Sequence, residues 1–132
     1  MIFRTAVAST DGIVVNQHFG HAERFHIVEL DTEHHTQTYI ETREVTRVCQ
    51  GHEHNESSFD AVLEVLSDVQ AILVAKIGQG ASDYLESKGM LVYEAPYLIE
   101  PVLQKILDDK IWESDNWASR LAKAGETNGD LL

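Results

Sequence analysis

The sequence is short of several things. It has one cysteine and two prolines in 132 residues, and 10 Lys plus Arg against 22 Asp plus Glu. The lone Cys49 excludes an internal disulfide and any all-cysteine metal site. The deficit of cations leaves a formal charge of −12, which argues against a nucleic-acid partner, because neutralising phosphates needs clustered Lys and Arg. The same charge disfavours anionic membranes. No apolar run approaches the roughly 20 residues that cross a bilayer. Met1 to Ala8 is too short in its apolar part for a signal peptide and lacks a leading basic cluster, so a cytoplasmic protein is expected. Repeats and low-complexity tracts are also missing.

What is present suits one domain. Hydrophobic residues make up 43% and charged residues 24%, ordinary values for a globular chain long enough to bury a core. Ile2 to Thr10 is apolar with β-branched and small residues and reads as a buried strand. Asp11-Gly12 is a hairpin-type turn signal. Arg24 to Leu30 reads as a second strand, with Phe25 and Ile27 on one face and His26, Val28 and Leu30 on the other. After a polar turn, Gln37 to Val45 is a more polar strand suited to a sheet edge or a solvated face.

The pattern then changes. Ser57 and Asp60 resemble a capping box ahead of a helix whose stripe is Phe59, Val62, Leu63 and Leu66. Ala71 to Ile77 is a nearly continuous apolar run, as in a strand covered on both faces. Gly78-Gln79-Gly80 opens a second helix, with Ala81, Tyr84 and Leu85 inward and Gly89 as its stop. Leu91 to Ala95 is the last strand, and Pro101 sits in the first turn of a helix with the stripe Ile99, Val102, Leu103, Ile106 and Leu107. The order β-β-β-α-β-α-β-α, three antiparallel strands followed by βα units, describes an α/β, ribonuclease H-like three-layer fold with a mixed five-stranded sheet. Residues 1–112 form this domain. Residues 113–132 hold one short helix, with Trp117 and Leu121 on one side, and a polar tail expected to be flexible. Trp117 is expected to dock on the core.

The stretch Asn16-Gln17-His18-Phe19-Gly20-His21 carries the chemistry. If it forms a helical turn, His18 and His21 project from one face while Phe19 anchors the turn in the core. Neutral imidazole ligates borderline and transition metals, and Gly20 lets a bulky guest approach the backbone. Two histidines are too few for a structural zinc site, which takes four protein donors. Either further ligands come from elsewhere, or the guest brings its own. The competing reading is a pair of histidines capping strand ends or bonding loop carbonyls. Asn16 and Gln17 act as outer-shell donors to the guest or, equally, as turn residues. Cys49, His52 and His54 form a C-x-x-H-x-H loop, chemically suited to iron or zinc, or else a plain surface loop. Gly78 and Gly80 at a helix N-terminus expose N–H groups that favour anions; a tight strand-to-helix turn explains the same glycines. Lys76 and Arg24 offer local positive charge. His34 and His35 lie in an acidic turn and are expected to be solvated, and His26, which alternates with core residues, is expected to be a packed or edge histidine.

Val14 to Ala22, the strand before it, and Ile77-Gly78-Gln79-Gly80-Ala81 resemble the dinitrogenase iron–molybdenum cofactor biosynthesis family, the group of NifX, NafY and the C-terminal domain of NifB. The resemblance covers residues 1 to about 110. It implies a ribonuclease H-like fold and the binding or carrying of an iron–sulfur cluster precursor or an iron–molybdenum cofactor. A radical-SAM region, with its three-cysteine cluster motif, cannot be built from one cysteine. A stand-alone carrier of the NifX sort is therefore the nearer match, with cluster donor and acceptor proteins as its partners. Three rivals stand beside it. A ribonuclease H-type nuclease needs clustered carboxylates, and Ile2 to Thr10 contains none. A protein–protein module acting as an apoprotein chaperone is compatible with the carrier. Plain binding of a single Zn or Fe ion by the histidines is the fourth reading. No enzymatic role is expected.

Overall fold

The computed structural model describes residues 1–45 and 56–118, apart from the side chains of residues 56 and 57. Five strands form one mixed sheet in the order β3-β2-β1-β4-β5. They are β1 (Ile2–Ala8), β2 (Arg24–Asp31), β3 (Thr36–Glu44), β4 (Ala71–Val74) and β5 (Leu91–Glu94). β1 and β2 pair antiparallel, as do β2 and β3, whereas β1–β4 and β4–β5 are parallel. The helices are α1 (Glu56–Val65), α2 (Gln79–Ser87), α3 (Ile99–Asp108) and α4 (Ile111–Ser114).

The central strands alternate their residues between two cores, which is why they read as unbroken apolar runs. Ala6 and Ala8 of β1 with Ile72 and Val74 of β4 face α1 and α2, through Phe59, Val62 and Leu85. Phe3 and Val7 of β1 with Ala71 and Leu73 of β4 face α3, through Ile99, Leu103, Ile106 and Leu107. The result is helix–sheet–helix in three layers. Thr5, the one polar side chain inside β1 with no exposure, is satisfied by donating its hydroxyl proton to the Val28 carbonyl at 2.9 Å.

The outer strand β3 is largely exposed, as its polar sequence requires. Its pairing with β2 shifts register between Ile27 and Val28, so Ile40 is the extra residue of a β-bulge. The bulge brings Tyr39 and Thr42 onto one face, where their hydroxyls lie 2.7 Å apart. Asp68, between α1 and β4, receives both guanidinium nitrogens of Arg43 at 2.6 and 2.9 Å and is also bonded by Arg4, so one carboxylate ties β1 and β3 together. This contact holds the Asp68 carboxyl well below the usual carboxylate range. Trp117 is fully buried, with its ring edge on Phe3 at 5.3 Å and its indole N–H donated to the Tyr93 hydroxyl at 2.8 Å.

Several boundaries differ from the sequence reading. β1 ends at Ala8 rather than Thr10, because Ser9 turns the chain and its hydroxyl oxygen accepts the Asp11 and Gly12 N–H groups. Asp11-Gly12 makes no hairpin, since Val14 bridges to Leu98 in the distant loop before α3; Gly12 adopts φ +76°. α1 begins at Glu56, so Ser57 lies inside the helix instead of capping it. Strand β4 stops at Val74, but Lys76 stays extended and pairs with His18. α2 ends as expected, with Gly89 at φ +94° and the Met90 N–H donated back to the Leu85 carbonyl, a Schellman closure.

Candidate functional site

The histidine stretch lies at the carboxyl end of the parallel strands. β1 leads into it, and the chain beyond β4 is zipped to it. Ala75 N–H donates to the Gln17 carbonyl at 2.9 Å, and Phe19 N–H donates to the Lys76 carbonyl at 2.8 Å. Phe19–His21 is a single 3-10 turn with His18 as its N-cap, closed by His21 N–H on the His18 carbonyl at 3.0 Å. Phe19 is buried in the α1–α2 core, its ring 6.0 Å from that of Phe59. The turn is therefore anchored by one aromatic side chain and strapped by two long-range backbone bonds.

His18 and His21 both point to solvent, with ring centroids 6.4 Å apart and planes inclined by 57°. Among the described residues neither ring makes a hydrogen bond, and neither caps a strand end or bonds a loop carbonyl there. Gly20, half-buried, lies between them. Asn16 and Gln17 brace the loop. The Asn16 side chain accepts from Thr10 N–H at 3.0 Å and donates to the Thr10 hydroxyl at 2.9 Å. The Gln17 side-chain oxygen accepts from Glu23 N–H at 3.4 Å. Their turn-forming role is on display, and it fixes the frame from which the imidazoles project.

Gly78 caps α2 with φ −71°, a conformation open to any residue, and Gly80 is not in the left-handed region either. A Cβ placed on either glycine would meet nothing within 4 Å. Neither backbone strain nor internal packing thus explains these two glycines, and both leave backbone open to solvent. Glu94, at the end of β5, accepts the Ile77 N–H at 2.9 Å and fixes the approach to α2. After β4 the chain packs on one face of the sheet as α2, and after β5 on the other as α3. Parallel sheets of this kind open a crevice at the carboxyl ends of two such strands, where ligands bind. Sequence reasoning missed Glu94 and the bracing carbonyls of Gln17 and Lys76, because long-range pairing leaves no local signal.

The other histidines behave as expected. His34 is paired with Asp31 at 2.8 Å, which raises its pKa, and His35 contacts Asp108 at 3.3 Å. His26 spans Ser9 and Thr42. Cys49, His52 and His54 lie outside the described residues. Among the described residues no three His, Cys, Asp or Glu side chains gather in a way that could hold a metal ion. No helix among them is long and apolar enough to cross a membrane.

Residues 1–109 match the family described as dinitrogenase iron-molybdenum cofactor. The chain belongs to that family. It is 38% identical over 104 residues to FeMo cofactor biosynthesis protein NifB of Frankia alni, a match covering 76% of this chain and 20% of that protein. The NifB of Klebsiella pneumoniae is 37% identical over 90 residues, covering 64% of this chain and 19% of the relative. The chain thus spans about a fifth of the length of these curated relatives. Among solved structures, PH0822 superposes with a TM-score of 0.60 at 20% identity, covering 81% of this chain and 91% of that one. The mj0327 protein of Methanocaldococcus jannaschii gives 0.54 at 14% identity, covering 83% and 92%. These two structural likenesses support the mixed α/β fold alone.

Proposed function

We propose that the chain acts in iron–molybdenum cofactor biosynthesis as a non-enzymatic carrier of an iron–sulfur or iron–molybdenum cofactor, or a precursor of one. One observation carries this reading. Two solvent-facing imidazoles, 6.4 Å apart and without hydrogen-bond partners among the described residues, stand on a turn braced by Phe19, Gln17 and Lys76. Imidazoles held this way can donate to iron without first breaking protein contacts. Two donors leave a lone ion with open coordination positions, whereas a cluster arrives with its sulfides already bound. A carrier must also release its cargo, and a site of two neutral ligands meets that need better than a four-ligand cage. The open backbone at Gly78 and Gly80, with the N-terminal N–H groups of α2, suits a cluster of negative charge. Cys49, His52 and His54 are candidate further ligands for the cargo.

The strand order β3-β2-β1-β4-β5 supports reading the fold as ribonuclease H-like. The carrier works in the cytoplasm, between a cluster donor and an acceptor protein. Anaerobic exposure of the full chain to iron and sulfide, or to a cluster-loaded donor, is expected to give visible absorption that His18→Ala with His21→Ala removes. Uptake of a single zinc or iron ion without sulfide would favour the plain metal-binding reading instead. Unchanged cluster uptake in the double variant would move the site to the Cys49 loop or elsewhere.

A further inference from the structure

A second feature lies away from the histidines, on the face of the sheet that carries α3. Between β2, β3 and the start of α3 runs a hollow of about 730 Å³, open to solvent. Its floor is apolar, made by Val28 and Ile99, and its walls include three large side chains left more than half exposed: Ile13 at 61%, Tyr39 at 59% and Leu98 at 52%. A second hollow of about 420 Å³ adjoins it, reaching Thr36 and Gln104 and sharing Gln37, Glu100 and Pro101 with the first. The two form one elongated trough along the inner face of β3. Thr36 to Tyr39 alone spans about 10 Å of strand, so the trough is longer than one compact side chain needs.

The polar groups in the trough are largely occupied. The His26 ring lies 3.1 Å from the Ser9 carbonyl through Nε2, and Nδ1 faces the Thr42 hydroxyl at 3.0 Å. In the neutral ring Nε2–H donates to the carbonyl, Nδ1 accepts from Thr42, and the Thr42 oxygen accepts from Tyr39. The Gln37 amide donates to the Glu100 carbonyl at 2.9 Å, joining β3 to α3. What is left is apolar wall, the Glu100 carboxylate and the second oxygen of Asp11, whose Oδ1 already accepts from the Ser9 hydroxyl at 3.1 Å and from the Ile13 and Val14 N–H groups at 2.9 and 3.2 Å. Among the described residues no lysine or arginine lines either hollow. An anionic or strongly polar occupant has nothing to pair with here; a cationic, apolar one does.

We propose that this trough receives an extended segment of a partner protein in which large apolar residues alternate with lysine or arginine. Apolar side chains pack on Val28, Ile99, Leu98 and Ile13, and the cations face Asp11, Glu100 and the ring of Tyr39. Among the described residues no strand lies beside the outer edge of β3, which leaves the rim of the trough open to the segment. This surface stands independently of the cargo site, since none of its lining residues belongs to the histidine turn.

The test uses the full chain and a fluorescein-labelled hexapeptide, Lys-Leu-Arg-Leu-Lys-Leu, with Glu-Leu-Glu-Leu-Glu-Leu as its control. Fluorescence polarisation is expected to show saturable binding of the basic peptide only. Amide shifts should centre on Gln37, Tyr39 and Leu98. Leu98→Asp or Glu100→Lys is expected to weaken binding at least tenfold. Glu64→Lys, the same charge change on exposed α1, should leave it unchanged. Absent binding, equal binding of both peptides, or equal effects of Glu64→Lys and Glu100→Lys would overturn the proposal, the last by reducing it to general attraction to an acidic protein. Iron and sulfide uptake by the same variants is expected to match wild type, so failure here and failure of the carrier reading are separable.

Discussion

Phe19→Ala probes the link between packing and the site. Phe19 is buried in the core shared with Phe59, while its own N–H is held by the Lys76 carbonyl at 2.8 Å. Removing a buried phenyl ring costs about 3–5 kcal/mol, the transfer energy of the ring plus the cavity it leaves. Against a total stability of about 5–15 kcal/mol, that is a large share. It should lower the midpoint of thermal unfolding by ~10–20 °C in a domain of this size. The straps at Gln17 and Lys76 keep the turn from collapsing freely into the hole, which argues for the upper part of the range. Phe19→Leu keeps most of the volume and should cost less than ~1.5 kcal/mol. Urea unfolding followed by circular dichroism reads both. At temperatures where the Ala variant is still folded, cluster uptake should fall although both histidines are intact, because the turn that aims them is loosened. A loss below ~0.5 kcal/mol, typical of surface positions, would refute the claim that this ring anchors the turn.

Other predictions follow from the same contacts. Trp117→Ala should destabilise by about 3–5 kcal/mol in chemical denaturation, since the indole has no exposure and packs on Phe3 and Tyr93. Asp68→Asn should cost ~1 kcal/mol, a modest value because the carboxylate is partly exposed, through loss of the bidentate contact to Arg43. The folded-state pKa of Asp68 is depressed, so its contribution is present above the unfolded carboxylate range and disappears as pH falls below it. Acid unfolding of Asp68→Asn should accordingly show less loss of stability below about pH 4 than wild type. His34, whose pKa is raised by Asp31, should titrate by NMR above the usual histidine range, and Asp31→Asn should bring it back.

The fold was legible where burial dictates residue type. β1 and β4 are covered on both faces, and their apolar runs said so; β3 is exposed, and its threonines and charges said that too. The helical stripes of α1 and α3 held because each packs one side on the sheet. Boundaries were less readable. The apolar run Ala71 to Ile77 continues past Val74 in extended form, yet its last part pairs with the histidine loop rather than with β1, a choice no local pattern encodes. Asp11-Gly12 signalled a turn correctly but not the partner, since Val14 pairs with Leu98 far along the chain.

For the site, the sequence placed His18 and His21 on one outward turn around a buried Phe19, and the structure has them so. Whether they ligate was never a question that spacing could answer. The bracing contacts from Lys76, Glu94 and Gln17 came from three separate segments and left no trace in the primary pattern. The trough beside β3 is assembled from residues between Asp11 and Gln104 and was equally invisible.

The most direct measurement is iron and sulfide content, with the visible spectrum, after anaerobic loading of wild type and of the His18→Ala, His21→Ala double variant. The account predicts that wild type retains iron and sulfide together and that the double variant, folded to the same degree, retains neither. Equal loading of both proteins, or iron or zinc taken up without sulfide, would contradict it.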